Sequence, residues 1–283
     1  MLLEVKNLSV KIKKSGKEIV KNISFNMEEN SCLGILGESG SGKSMTCKSI
    51  LGILKENLEA NGEIIFDGRN LLTLKKEESR DIRGKEICMI LQNPMTSFDP
   101  LYTIGNQLLE TFLEHLNINK DEAYKLAVES LEKMRLKDIE EVLKKYPHEL
   151  SGGMLQRIMI AVAIALKPKL IIADEPTPGL SLDLAIEVLN HFRNMANDGK
   201  GILLISHDID LVCNVADKMA IFYGGHILET LNTKDFLKGE KYIKHPLTKA
   251  FWRALPQNDF EETDMEDIRL QCKKLNLELP SLE

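Results

Sequence analysis

Eight residues near the N-terminus, GESGSGKS, have the types and spacing of a loop that binds phosphate groups. Its glycines let successive backbone N–H groups point into one cavity, and a helix that begins there adds the positive end of its dipole. The lysine ammonium can approach the β- and γ-phosphates, and the serine hydroxyl can bind Mg²⁺. The positions are Gly37, Glu38, Ser39, Gly40, Ser41, Gly42, Lys43 and Ser44.

The flanking segments separate this interpretation from a plain glycine-rich turn. Ser31–Gly37 is a short apolar run typical of a buried strand, and residues 43–54 have helical spacing. A chance match to the template in a chain of this length has odds on the order of one in a hundred. Strand, loop and helix follow one another in the required order, which favours the phosphate site.

Two carboxylates end another apolar run, which begins at Leu170. Asp174 and Glu175 come at the strand end where open α/β sheets bind ligands. Asp174 can hold Mg²⁺ through water, and Glu175 can orient or deprotonate an attacking water. Alone, such a pair is more often a helix cap. Beside a phosphate loop, the catalytic interpretation is favoured.

Five more residues, each polar or a glycine, stand where predicted elements begin or end. His207 ends the strand that begins at Gly201 and can reach a γ-phosphate, and Gln92 ends a strand where its amide can touch metal or water. Alone, each is an ordinary polar strand end. A helix begins at Ser151, Gly152 and Gly153, and its bare N–H groups form a second potential anion site or a serine cap with flexible glycines. Two phosphate-binding ends suggest two chains that share nucleotides.

The composition restricts the class of protein. A formal net charge of -6 over 283 residues argues against nonspecific nucleic-acid binding. Five scattered cysteines match neither a disulfide framework nor a CxxC metal site, which favours a reducing cytosol. No secretion signal is visible, and the longest apolar run, Ile158–Leu166, is too short to span a membrane. A soluble chain is expected.

The pattern of elements predicts an α/β fold. Paired strands are expected over Leu3–Ile12 and Glu18–Met27, and a turn at Asn61–Gly62 before a strand over Glu63–Phe66. Residues 104–146 have helical spacing, with an amphipathic face formed by Ala123, Leu126, Ala127, Ser130, Leu131 and Met134. Strands alternate with helices in the centre, which predicts a parallel sheet.

At these residues the chain resembles the ATP-binding subunit of ATP-binding-cassette transporters over roughly residues 1–255. The loop resembles Walker A, Gln92 the Q-loop, residues 150–154 (LSGGM) the family signature, residues 171–175 (IIADE) Walker B, and His207 the switch histidine. The resemblance implies a P-loop cassette core, an antiparallel β subdomain and a helical subdomain inserted at about 93–167. The nucleotide-binding domain is expected over 1–254 and a C-terminal tail over 255–283.

The resemblance also implies cofactors and partners. ATP and Mg²⁺ are expected, in a head-to-tail dimer where each ATP lies between one chain's phosphate loop and the other's residues 151–153. Two transmembrane permease subunits, an extracytoplasmic solute-binding protein and no nucleic acid are expected, with the chain on the cytoplasmic face of the membrane. Residues 178–181 (PGLS) depart from the family's D-loop, S/T-A/G-L-D, which favours a second, nonidentical ATPase as partner. Ile12 stands where many relatives stack an aromatic ring on adenine.

Within the family, residues 92–101 and 245–249 (HPLTK) resemble the group of peptide and nickel importers, and the segment 254–260 continues from that block. Peptide-importing members often carry a cysteine-bearing extension, whereas only Cys272 follows here, so the nickel-importing type resembles the chain better. The six histidines show no paired spacing for a metal, which leaves the cargo to other subunits. The alternatives are an oligopeptide importer ATPase, a non-transport cassette acting on DNA or ribosomes, and a module that holds ATP without turnover.

Overall fold

A computed structural model of the chain describes residues 1–255, 258 and 263–280. These residues belong to two compact units, one formed by 1–79 and 193–283 and the other by 80–192. Within the predicted segment 254–260, positions 256, 257, 259 and 260 lie outside the described residues. The predicted boundaries of the cassette, the helical subdomain and the tail remain predictions.

The first unit contains two groups of hydrogen-bonded strands. Antiparallel strands in the order β2-β1-β4-β5 form the first group, with β1 Leu3–Ile12, β2 Glu18–Met27, β4 Leu58–Phe66 and β5 Arg69–Asn70. The second group has the order β10-β9-β3-β8, with β3 Ser31–Gly37, β8 Gly201–Ser206, β9 Lys218–Tyr223 and β10 His226–Asn232. Strand β3 is parallel to both of its neighbours. All six residues of β8 are buried, as is typical of strands in parallel sheets.

The second unit contains two parallel strands and a cluster of helices. Strands β6 (Ile87–Ile90) and β7 (Leu170–Asp174) pair in parallel. The helices α3 (Ile104–His115), α4 (Lys120–Lys133), α5 (Ile139–Lys144) and α6 (Gly152–Ala165) pack together. Helix α4 begins in a capping box of Asn119 and Glu122, which satisfies the first backbone N–H groups. These helices form the helical part that the sequence predicts.

The remaining α-helices flank these elements along the chain. Helix α1 follows the phosphate loop and α2 the small sheet, while α8 lies between β8 and β9. Their bounds, with those of the later helices, are α1 Lys43–Ile50, α2 Lys76–Ile82, α7 Leu182–Asn197, α8 Ile209–Val215, α9 Thr233–Lys238, α10 Pro246–Arg253 and α11 Met265–Lys274. Short 3₁₀ turns cover Leu71–Thr73, Pro94–Thr96, Pro147–Glu149 and Glu240–Tyr242.

Several element predictions are confirmed and two are wrong in detail. The bounds of β1, β2 and β3 agree with the expected ones, and the expected α4 face is buried except for Leu126, which is half-buried. The turn predicted at Asn61–Gly62 instead lies inside β4, because β1 shifts register opposite it between Lys6 and Ser9. Helix α1 ends at Ile50 rather than at residue 54. The segment 104–146, for which helical spacing is predicted, contains three helices.

Gly62 shows why the turn prediction failed. Its φ is +115°, and a Cβ on it would lie 2.5 Å from the backbone oxygen of Asn7. The glycine therefore allows the close approach of a β-bulge, and the chain continues in the same direction.

Candidate functional site

The phosphate loop joins β3 to α1 and is shaped by two glycines. Gly37 pairs with Phe222 of β9, and a Cβ on Gly37 would lie only 2.3 Å from the Phe222 carbonyl oxygen. Gly42 precedes the first residue of α1 with φ of 102°, a left-handed conformation that disfavours other residues. The loop is thereby curled over the N-terminus of α1, where backbone N–H groups attract anions.

Lys43 places a positive charge inside this loop. The residue is 6% exposed. Its Nζ donates to the carbonyl oxygens of Gly37 and Glu38, both at 2.7 Å, and to Ser41 Oγ at 3.4 Å. A buried ammonium that faces oxygen acceptors at a helix N-terminus is suited to bind phosphate oxygens. Ser44, the next residue, is half-buried in the first turn of α1.

Gln92 and Glu175 meet beside the parallel pair β6 and β7. Gln92 Nε2 donates to Glu175 Oε2 at 2.8 Å. Glu175 follows β7 directly with φ of 48°, a conformation that costs a non-glycine residue about 1–3 kcal/mol. Asp174, the last residue of β7, is 5% exposed. The second unit thus brings together a buried carboxylate, a half-exposed carboxylate and a side-chain amide.

The start of α6 is an open helix N-terminus. Ser151 caps it, with its Oγ accepting from the backbone N–H of Met154 at 3.2 Å. Ser151 and Gly152 are exposed, and a Cβ on Gly152 would meet no atom within 4 Å. Gly153 is different, because a Cβ there would lie 2.6 Å from the carbonyl oxygen of Gly179. The start of α6 is therefore accessible to another molecule at Gly152. At Gly153 it packs against Gly179, in the segment that follows Glu175.

Helix α6 also carries two side chains whose three contacts the sequence did not predict. Gln156 is 1% exposed, and its Nε2 donates to the Pro176 carbonyl oxygen at 2.9 Å. The sulfur of Met159 accepts from the Leu91 backbone N–H at 3.4 Å and from Ser97 Oγ at 3.1 Å. These side chains connect α6 to the segments that bear Glu175 and Gln92. Apart from Arg157, the glutamine is surrounded in α6 by glycine and apolar residues, and this was the available signal.

His207 and Ile12 belong to the first unit, with the phosphate loop. His207 follows β8 and is exposed, and the adjacent Ser206 Oγ accepts from the Asp208 backbone N–H at 2.9 Å. Asp208 in turn caps α8. Ile12 is the half-buried last residue of β1. The predicted site residues therefore fall into two groups, with Gln92, Ser151, Gly152, Gly153, Asp174 and Glu175 in the second unit.

The donor chemistry fits magnesium better than a softer metal. A serine hydroxyl, a glutamine amide and a carboxylate are the hard oxygen donors that Mg²⁺ prefers, and they occur at Ser44, Gln92 and Asp174. The five cysteines are all free, and burial raises the pKa of Cys88 to about 12. Among the residues that the structure describes, no group of three or more His, Cys, Asp or Glu side chains is arranged to hold a metal ion.

No helix in the described ranges 1–255 and 263–280 has the length and apolar character needed to cross a membrane.

Comparisons with known proteins agree with this geometry. Residues 20–178 match the family model described as ABC transporter. The metal-staphylopine import system ATP-binding protein CntD of Staphylococcus aureus (strain NCTC 8325 / PS 47) is 42% identical over 243 residues, 86% of this chain and 90% of its own. The oligopeptide transport ATP-binding protein OppD of Bacillus subtilis is 38% identical over 260 residues, 90% of this chain and 72% of its own.

A solved structure gives the same fold. The dimeric post-hydrolysis state of the ATP-binding cassette MJ0796 bound to ADP and Pi has a TM-score of 0.73 and 26% identity, and covers 82% of this chain and 99% of its own. The fold and the phosphate loop define an ATP-binding cassette of the P-loop class, which confirms the predicted fold class. The chain belongs to the ABC transporter family, as an ATPase subunit.

Proposed function

We propose that this chain is the ATP-hydrolysing subunit of an importer, and that its cargo is nickel or another metal chelate. The observation that carries the ATPase assignment is the buried Lys43 ammonium at the centre of the phosphate loop, 2.7 Å from two loop carbonyls. A second supporting observation is the hydrogen bond between Gln92 and Glu175, which orients a carboxylate after a buried strand.

The proposed roles follow from the chemistry of each side chain. Lys43 and the loop N–H groups bind the β- and γ-phosphates, and Ser44, Asp174 and Gln92 hold Mg²⁺ directly or through water. The metal ion supplies charge neutralisation on the phosphates. Glu175 orients or deprotonates the attacking water, and His207 contacts the γ-phosphate. The side chain of Ile12 packs against the base.

Substitution Glu175→Gln tests the hydrolytic role. Binding of MgATP is retained because the phosphate loop is unchanged, whereas hydrolysis by the assembled complex falls by about 10²–10⁴-fold, the usual contribution of a general base. Single-turnover hydrolysis and equilibrium binding of MgATP measure the two quantities separately. Equal turnover in the variant and the parent removes Glu175 from the mechanism and favours a module that only holds ATP.

The open end of α6 supports a head-to-tail dimer. Ser151 and Gly152 are exposed at a helix N-terminus, as required of a surface that binds the γ-phosphate of ATP held by another subunit. Ser181 replaces the aspartate of the family's D-loop, and for this reason we favour a second, nonidentical cassette as the partner. A catalytically competent homodimer on purification contradicts that choice.

The segment after Gln92 supports attachment to permease subunits. Met95, Leu101 and Tyr102 are large apolar side chains with exposed fractions of 47%, 78% and 54%. Exposed apolar residues next to a candidate catalytic glutamine suit a contact that transmits nucleotide-dependent motion. We place the chain at the cytoplasmic face of the membrane, held there by two permeases that receive cargo from an extracytoplasmic binding protein.

The transported substrate that we propose is a metal chelate rather than an oligopeptide. Similarity to the metal-staphylopine import ATPase supports a metal chelate, whereas similarity to OppD supports the oligopeptide alternative. The test compares two uptake measurements in cells that lack this subunit and in parental cells. One uses labelled nickel, free and chelated, and the other uses labelled oligopeptides. Loss of nickel-chelate uptake is expected. Lost peptide uptake with unchanged nickel uptake overturns the choice.

A further inference from the structure

The C-terminal helix α11 packs into a small core that we call the tyrosine cluster. Its buried members are Tyr223 at the end of β9, Leu247 of α10, and Ile268 and Cys272 of α11, each 2% exposed. Ala250 and Phe251 of α10 and Leu279 beyond α11 pack around them. The described part of the C-terminal segment, residues 263–280, therefore shares a core with a strand of the parallel group.

Polar contacts fix the start of α10 against the same region. The carboxylate of Glu229 in β10 accepts from the backbone N–H groups of Lys244 and His245, both at 2.9 Å. His245 Nδ1 accepts from the Leu247 backbone N–H at 3.1 Å, which leaves the hydrogen on Nε2 in the neutral ring. That nitrogen lies 3.3 Å from the Glu278 carbonyl oxygen. His245 thus joins α10 to the end of the C-terminal segment.

Tyr223 connects the cluster to the phosphate loop. It follows Phe222, whose carbonyl oxygen lies so close to Gly37 that no Cβ fits there. Burial and then the nearby charge of Glu38 raise the pKa of Tyr223, and Arg269 of α11 opposes them. Tyr223 therefore adjoins the phosphate loop through its neighbour Phe222 and packs on the C-terminal helix through Ile268 and Cys272. A displacement of α11 removes the packing behind the strand end on which Gly37 rests.

We propose that α11 positions the phosphate loop through Tyr223, so that the affinity of this chain for MgATP depends on the packed C-terminal segment. Tyr223 and Ile268 are positioning residues in this scheme, since they act through the backbone of Phe222 and Gly37. The inference rests on the proposed nucleotide site. It assigns the C-terminal segment a role in nucleotide binding by the chain itself.

Two aspartate substitutions on opposite faces of α11 test the proposal. Ile268→Asp puts a carboxylate into the tyrosine cluster, whereas Leu270→Asp puts one at a side chain that is 51% exposed on the same helix. Calorimetric titration of the full chain with MgATP gives the dissociation constant. We expect Ile268→Asp to raise it by about fivefold or more, a typical coupling between sites, and Leu270→Asp to leave it within about twofold. Equal dissociation constants in Ile268→Asp and the parent overturn the proposal.

A second variant covers the case in which Ile268→Asp does not fold. Ile268→Ala keeps an apolar side chain in the tyrosine cluster and removes only part of the packing against Tyr223. We expect it to weaken MgATP binding less than Ile268→Asp does, and expect the effect to shrink in a Tyr223→Leu background, where the tyrosine through which α11 acts is already absent. Effects that are the same in both backgrounds show no coupling between α11 and the loop and contradict the proposal.

The same titrations separate this inference from the proposed function. If the parent does not bind MgATP, the proposed nucleotide site is wrong. If the parent binds MgATP and Ile268→Asp binds equally well, only the role of α11 is wrong. If the role of α11 is purely structural, Ile268→Asp melts at a lower temperature than the parent. Its dissociation constant for MgATP, measured well below that temperature, is then the same as that of the parent.

Discussion

The chain has two helix N-termini suited to anions, and they are built differently. At α1 the loop is exposed at residues 38–40 but buried at residues 41–43, Gly42 has φ of 102°, and Lys43 contributes an ammonium that is 6% exposed. At α6 the cap is a side chain, Ser151, which is exposed together with Gly152. Arg157, one turn into α6, donates to the backbone carbonyl oxygens of Gly153 and Arg135.

From this difference we expect the α1 loop to bind an anion by itself and the α6 end to complete a site on another chain. The α1 loop has backbone N–H groups, a helix dipole and a cation, which together bind a polyphosphate. The α6 end has a dipole and N–H groups in an open position, which add to binding once a nucleotide is held by other residues. The first site is therefore expected to function within one chain and the second only between chains.

The largest expected effect contrasts Lys43→Ala with Ser151→Ala in the isolated chain. Lys43→Ala removes charge-assisted hydrogen bonds and is expected to weaken MgATP binding by about a hundredfold or more. Ser151→Ala is expected to leave the dissociation constant unchanged, because we propose that the α6 end contributes to nucleotide binding only in a dimer. Equilibrium titration measures both. Parental affinity in Lys43→Ala disproves the phosphate-loop assignment.

The two glycines of α6 test the open and the packed side of this helix end. Gly153→Ala places a methyl group 2.6 Å from the Gly179 carbonyl oxygen and is expected to lower the free energy of unfolding by about 1–3 kcal/mol. Gly152→Ala meets no atom and keeps the stability of the parent, while it lowers hydrolysis in the assembled complex. Thermal unfolding of the two variants gives the comparison, and equal losses contradict the assigned packing.

Gln156→Glu tests whether α6 supports the segment after Glu175. An ionised carboxylate cannot donate to the Pro176 carbonyl oxygen, so we expect about a tenfold loss of hydrolysis at pH 8. Burial raises the pKa of the new carboxyl group, and its protonated form can donate again, so activity relative to the parent should recover as the pH falls towards 6. Gln271→Glu, at a half-buried glutamine of α11, is the control. A defect that is independent of pH argues against the hydrogen bond.

The smallest expected effect concerns the base. Ile12→Tyr supplies a ring for stacking, which is worth about 0.5–1.5 kcal/mol, or a gain of roughly twofold to tenfold in ATP affinity. Inorganic tripolyphosphate has no base and is expected to bind both proteins equally. A matching gain for tripolyphosphate shows that the substitution acts on the phosphate loop instead.

The sequence predicts those features that depend on residues close together in the chain. The phosphate loop, its strand and the capped start of α6 follow from local spacing, and the structure has them where expected. The contact between Gln156 and Pro176 joins residues 20 positions apart, and the Glu229 contact with His245 joins residues 16 apart. Such pairs depend on packing directions that periodicity does not encode. The turn prediction at Gly62 was wrong for the same reason, because the β-bulge there depends on the register of β1.

The left-handed backbone of Glu175 has an evolutionary consequence. A glycine or asparagine adopts φ of 48° at less cost than glutamate does. Substitution of Glu175 by either residue is therefore expected to stabilise the folded chain. The hydrogen bond from Gln92 and selection for the carboxylate oppose that change. Cassettes that have lost hydrolysis should therefore accumulate glycine or asparagine here, and the residue found at this position in relatives should indicate which of them still turn over ATP.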